Sequence, residues 1–171
     1  MTFVDRFLAW ATVINCIGNT IMSVAQVRNV RNDGMHEDEI LAFQLSFEGG
    51  RRLLLKGAGD GESLIADTNQ WQDLFEGRQD TEVRDFVAQF GSWTLIEVSK
   101  ETPYSTLVQK VIETVYPITA EDDALSGVQF LIDRKYLNVV VVWDECWVLW
   151  GKYHESFDTM RIKVDYSQND K

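Results

Sequence analysis

Carboxylates are the groups in this chain best placed to do chemistry. They crowd into two short runs, His36-Glu37-Asp38-Glu39 and Glu121-Asp122-Asp123. Such a run can hold a divalent cation, but the acid order and central glycine of a calcium loop are missing from both. It can instead attract a basic protein surface, or serve only as a solvated connection between strands. Glu37, Asp38, Asp122 and Asp123 are therefore candidate partner-binding residues, and no metal site is expected. Trp71, in the polar setting "TNQWQDLFEG", joins them, because tryptophan is enriched at binding hot spots. A loop tryptophan that covers the edge of a core is the other reading.

The remaining reactive residues offer less. His36 and His154 stand alone, without a second histidine at ligand spacing. Cys16 and Cys146 are too few for a disulfide framework and too far apart for a CxxC site. Cys146 sits in an apolar run as a small hydrophobe, which fits a reducing compartment. "GAGDGES" follows a strand and precedes no basic residue or helix, so it reads as a hairpin turn rather than a phosphate cradle. No catalytic residue and no cofactor are expected.

Charge narrows the partners. Sixteen Lys and Arg against 27 Asp and Glu leave −11 over 171 residues. A surface this acidic repels phosphate backbones and anionic lipid heads, which excludes nucleic acid and membranes and favours a basic protein. Two prolines and no low-complexity stretch describe one domain, residues 1–171. The apolar run from Phe7 to Ile14 lacks a basic flank and is too short to span a bilayer, so a cytoplasmic protein is expected. Phe3, Phe7, Trp10 and Ile14 recur at helical spacing, Thr2 and Asp5 form a capping box, and Gly18 is a stop. These signals predict an amphipathic helix over residues 3 to 15, packed on the core by that stripe.

Strands position the acidic runs. Phe43, Leu45 and Phe47 alternate with polar residues, Gly49-Gly50 turns, and Leu53 to Leu55 return. Asp60-Gly61 is a second turn. Val128, Phe130 and Ile132 repeat the pattern, with turns at Arg134-Lys135 and Asp144-Glu145. At an offset of 85 residues, Ser23 to Glu48 aligns without gaps on the later copy. Val30, Asp38 and Gln44 fall on Val115, Asp123 and Gln129. Two readings fit: an internal repeat of residues 23–64 and 108–149, or the shared periodicity of β-meanders. A β-bulge at the same place in both copies, or a helical turn, would explain the three-residue spacing of Val27 and Val30 and of Ile112 and Val115. Between the copies, Val83, Phe86, Val87 and Phe90 mark one face of a connecting helix that stops at Gly91. The expected class is α+β and β-rich: two three-stranded antiparallel meanders, in a sheet, sandwich or partial barrel, with an N-terminal and a connecting helix. In "NVVVVW" both strand faces are apolar, so the strand is covered on both sides. Trp143, Trp147 and Trp150 are expected in the core.

The pattern "SGVQFLID" followed by "YLNVVVVWDECWVLW", preceded by "LVQKVIETV", resembles small bacterial proteins of unknown function, some of which are of the toxin-immunity type. The resemblance implies a binding role and supplies no catalytic residue. The expected function is non-enzymatic binding of a basic macromolecule. The competing reading is a small-ligand protein or hydrolase with a pocket between the two meanders.

Overall fold

The computed structural model describes residues 3–31, 34, 36–73, 75, 77, 78, 80–120, 124–152 and 162–166. Alternation builds the centre of each sheet. In β2 (His36–Phe47), Phe43, Leu45 and Phe47 are buried on one face, as a period of two requires. Gly49, at φ 81°, allows the reversal, and β3 (Arg52–Gly57) returns with Leu53 opposite Leu45. β7 (Leu125–Ile132) and β8 (Lys135–Val142) repeat the device: Val128, Phe130 and Ile132 are buried, and Phe130 faces Leu137.

β1 (Ile21–Val30), β4 (Leu64–Asp67) and β5 (Ser92–Glu97) complete the first sheet, ordered β4-β3-β2-β1-β5. β6 (Ile112–Ala120), β9 (Glu145–Trp150) and β10 (Ile162–Val164) complete the second, ordered β9-β8-β7-β6-β10. Every pairing between these strands is antiparallel. With α1 (Phe3–Ile14) and α2 (Thr81–Phe90) the fold is α+β. Each expected three-stranded meander is thus a four-stranded one, closed by a fifth strand on its other side.

The two sheets share strand order and also register. Ile21 pairs with Phe47 as Ile112 pairs with Ile132, and Val27 with Ala42 as Ile118 with Gly127. The same correspondence runs through the other ladders: Leu55–Ala66 matches Val139–Val148, and Val27–Leu95 matches Ile118–Val164. Two register shifts coincide, Ile21/Ser23 with Ile112/Thr114 and Val27/Arg28 with Ile118/Thr119, while a third, between Arg28 and Val30, has no counterpart in β6. The gapless offset of 85 holds for β2 and β7 only. β1 maps onto β6 at 91, because the connection from β1 to β2 is six residues longer than that from β6 to β7. Val27 therefore corresponds to Ile118 and not to Ile112, and Val24 to Val115. Where the halves meet, the contacts are reciprocal. Gly18 N–H donates to Ile112 O at 2.8 Å and Gln109 N–H to Ile21 O at 2.8 Å, while Thr20 bridges Val111. A local two-fold axis produces this kind of exchange.

The sheets enclose one core, to which Phe43, Leu45 and Leu55 contribute from the first and Phe130, Leu137 and Val139 from the second. β8 is covered on both faces, as its four valines require: Val139 and Val141 lie in this core, and Val140 packs with Ile118 on the outer face. The outer face of the first sheet carries a strap from the chain that follows β4: Gln44, buried on the central strand, accepts the Trp71 N–H on its Oε1 at 3.3 Å. On the second sheet the corresponding buried glutamine, Gln129, accepts the hydroxyl of Tyr166, which follows β10, at 2.9 Å.

Both helices form where expected, but each buries only part of its expected stripe. α1 enters the core through Ala9 and Val13, followed by Cys16, while Phe7 is 64% exposed and Ile14 is also exposed. Small side chains let a helix approach a sheet closely; of the larger stripe, Trp10 packs half-buried on the core and Phe7 and Ile14 are left outside. α2 is capped by Asp80, whose side chain accepts from Val83 N–H at 3.0 Å, and it ends at Gly91 as predicted. Val83 is buried, whereas Phe86 and Phe90 are exposed and stack on each other, with ring centroids 4.9 Å apart.

Candidate functional site

The turn joining β8 to β9 is Trp143-Asp144, one residue earlier than the spacing of acids predicts. The β7–β8 turn likewise falls at Asp133-Arg134. Trp143 has φ 52° and Asp144 φ 67°, the left-handed pair of a type I′ hairpin. Such a turn favours Asn-Gly, and a tryptophan there is strained. It is held in place by the corresponding turn of the other half. Trp143 N–H donates to Gly61 O at 2.7 Å, and Gly61 N–H donates to Asp144 Oδ1 at 3.0 Å. Gly57 permits the approach, since a Cβ there would stand 3.3 Å from Asp144 backbone atoms. The Trp143 side chain is 83% exposed, against the expectation that it is core. Trp147, in β9, is 37% exposed, and Trp150 is half-buried on the rim of the main core. A short chain fixed at both ends thus presents a large aromatic to solvent.

The electrostatic setting is uniform. The two interlocked turns carry Asp60, Glu62, Asp144 and Glu145 and no basic residue. Desolvation works against the Asp60 carboxylate, but hydrogen bonds from Ser63 and Glu62 outweigh it and hold the group below the usual carboxylate range. The site can therefore offer a ring face and surrounding negative charge to a cation.

A second polar group lies on the inner face of β1. Gln26 is fully buried; its Nε2 donates to the Tyr104 hydroxyl at 2.6 Å, and its Oε1 accepts from Arg28 Nε at 2.8 Å. Burial raises the Tyr104 pKa, opposed by the Gln26 hydrogen bond and the Arg28 charge. Tyr104 also packs on Phe43 and Trp150, each 6.2 Å between centroids. This group ties the 3-10 turn Tyr104–Thr106 to β1 and β9.

The residues singled out from sequence are not brought together. Trp71 is half-buried on the outer face of the first sheet, against Val27, Ala42 and Leu54, as part of the strap held by Gln44. Its indole Nε1 is buried without a hydrogen-bond partner. Glu37 and Asp38 lie at the start of β2, but their side chains fall outside the described residues, as do Asp122 and Asp123 entirely. His36 heads β2 with an undescribed side chain, and His154 lies outside the described residues. Among the described residues no group of three or more His, Cys, Asp or Glu could hold a metal ion. Both cysteines are free and buried, and burial pushes each thiol up to about 12, so neither is a nucleophile at neutral pH. No helix among the described residues is long and apolar enough to cross a membrane. Trp143 is what sequence reasoning missed: the signal was an acidic pair directly after a tryptophan at a hairpin end. Compared with models of known protein families, with curated proteins and with solved structures, the chain matches none.

Proposed function

We propose that the protein is a non-enzymatic cytoplasmic binding module for a basic protein, of the kind a toxin-immunity protein neutralises, and that its two sheets arose by duplication of one unit. The shared registers and two coincident register shifts support the duplication: independent meanders would share alternation, but not two irregularities at the same positions. Trp143 carries the functional reading. Holding a tryptophan in left-handed backbone costs about 1–2 kcal/mol, and a ring 83% exposed returns little of that through packing. Strain of this kind persists at ligand contacts, where the chain supports it for another purpose. A rigid tryptophan is a typical interface anchor, and the surrounding acids select lysine or arginine as its counterpart.

The test is capture of a partner from the native host, followed by affinity measured with purified components. Trp143→Asn should weaken binding about 30-fold or more, the scale of a hot spot. Charge reversal at Glu62 and Glu145 should slow association, most at low salt. A partner that binds both variants like the wild type, at every salt concentration, overturns the reading. Glu37, Asp38, Asp122 and Asp123 remain proposed contributors to the same long-range field, and their reversal should likewise slow association without unfolding the chain.

A further inference from the structure

The matching halves differ at the corner where the end of α1 meets the hairpin of β2 and β3. Leu45–Leu53 matches Phe130–Leu137, and Leu54–Asp67 matches Asn138–Leu149. Arg51 and Arg52, the residues before Leu53, therefore correspond to Lys135 and Tyr136, and Thr68, the residue after Asp67, to Trp150. Asn19, two residues before Ile21, corresponds to Lys110, two before Ile112.

In the second half this corner is closed on itself. Lys110 Nζ stands 2.8 Å from Asp133 Oδ2, and the Lys110 hydrogen bond is the largest of the influences that hold the Asp133 carboxyl below the usual range. Trp150 lays its ring on Tyr104 and the rim of the core. In the first half the corner is open. Glu48 follows Phe47 as Asp133 follows Ile132, but it is exposed and makes no ion pair with either arginine. Thr68 puts a small side chain where the other half has an indole. A pocket of about 420 Å³ stands there, walled by Asn15, Asn19, Arg51, Arg52 and Thr68 over Cys16, Phe47 and Leu53. No carboxylate lines it among the described residues.

The pocket holds its positive charge in place without neutralising it. Arg51 Nη2 donates to Asn19 Oδ1, and Asn19 Nδ2 donates to Asn15 O at 2.9 Å. The other Arg51 donors and the Arg52 guanidinium have no partner among the described residues. The end of α1 does not take them up either. The carbonyls of Val13, Ile14, Asn15 and Cys16 already accept from Cys16, Ile17 and Asn19.

We infer that this pocket binds a small organic anion. Its carboxylate or phosphate head sits on the Arg51 guanidinium, as Asp133 sits on Lys110 in the other half. Its apolar body lies beside Thr68, over Cys16, Phe47 and Leu53, in the place that corresponds to the Trp150 ring. The head is an oxyanion because a guanidinium presents paired N–H donors that match one. The ligand is small because the chain's charge of −11 repels a polyanion at long range, while short contacts to one head group survive that field. The pocket's volume is that of a small-molecule site. This site is separate from the Trp143 turn, which meets β3 at its other end, by Gly57.

The probes are phenylacetate, phenyl phosphate and inorganic phosphate, titrated into the full chain and followed by backbone amide shifts. At least one of the two organic probes should saturate with a Kd of about 1 mM or below. The shifts should centre on Asn19, Arg51 and Thr68 and leave Gly61 and Trp143 in place. Whichever organic probe binds more tightly identifies the head group. Arg51→Gln should weaken binding about tenfold or more. Thr68→Trp should abolish binding with both arginines intact, because it supplies the indole that the other half carries. Arg51 and Thr68 are both exposed, so the two variants should keep the wild-type urea midpoint. Trp143→Asn should bind the probes as the wild type does, which keeps this test apart from that of the basic partner. No saturable shift at those amides with either organic probe at about 10 mM overturns the inference. So does binding that Arg51→Gln leaves unchanged. Inorganic phosphate binding as tightly as phenyl phosphate, with no effect of Thr68→Trp, also overturns it, since that is charge on an open surface and not a pocket.

Discussion

Trp143→Asn should leave the fold as stable or make it more so, while weakening the partner. Two effects oppose each other in the fold. Asparagine tolerates the left-handed region and is favoured in a type I′ turn, which relieves about 1–2 kcal/mol. Against that, the 83% exposed ring loses its few contacts. The buried remainder of a side chain of roughly 250 Å² is about 40 Å², or about 1 kcal/mol at 25 cal/mol per Å². The net falls between zero and about 1 kcal/mol on the stabilising side. Trp143→Ala loses the same contacts but keeps most of the strain, so it should be less stable than the asparagine variant by about 1 kcal/mol. Urea midpoints at constant slope for the three proteins measure this order. A Trp143→Asn variant destabilised by more than about 2 kcal/mol would mean that the ring is packed, not presented, and the argument from strain would fail.

Three further outcomes test the frame around this turn. Val140→Asp should abolish folding, because Val140 is fully buried against Ile118 and an unpaired carboxylate there costs several kcal/mol, comparable to the stability of a whole domain; soluble protein with a cooperative melt would overturn this. Gly127→Ala should cost about 1–3 kcal/mol, since its Cβ would stand 2.5 Å from Val139 O and 3.0 Å from Val140 Cα. The position corresponding to Gly127 is Ala42, where Ala42→Gly should have a smaller effect on the urea midpoint. Asp80 has its carboxyl pKa held down, first by the Val83 N–H at the start of α2, so its charge contributes stability above the unfolded carboxylate pKa of about 3.9 and loses it as pH falls through the lower folded value. Unfolding midpoints of wild type and Asp80→Asn should differ at neutral pH and converge on acidification; a gap that persists in acid would assign the cap to hydrogen bonding alone.

The two central hairpins were legible because alternation and turn glycines agree over Phe43 to Leu55, and only one register buries Phe43, Leu45 and Phe47 together. The shared strand order of the two halves was legible in kind but not in alignment. Asp38 and Asp123 matched at an offset true of β2 and β7, and no residue marks the six extra positions between β1 and β2. α1 defeated its periodicity argument because it carries two apolar stripes. Helical spacing identifies both, and only the closeness of the sheet selects Ala9 and Val13 over Phe7 and Ile14. Trp71 and Gln44 gave no local sign of their strap, since that contact joins residues 27 positions apart in sequence.

Trp143 failed for a different reason. After "NVVVV" a tryptophan continues a strand by propensity, and nothing in "VWDE" resembles the Asn-Gly of a tight hairpin. Local preference and global fold disagree there, and the fold prevails through two hydrogen bonds to Gly61 that fix the turn. The opposing turn corresponds in the other half, yet it meets its own need with Gly59 and Gly61 at positive φ and places no aromatic outside. A relaxed solution was therefore available to the same architecture. Trp143 stands in the strained alternative, and the proposed binding role rests on this asymmetry between otherwise matching halves.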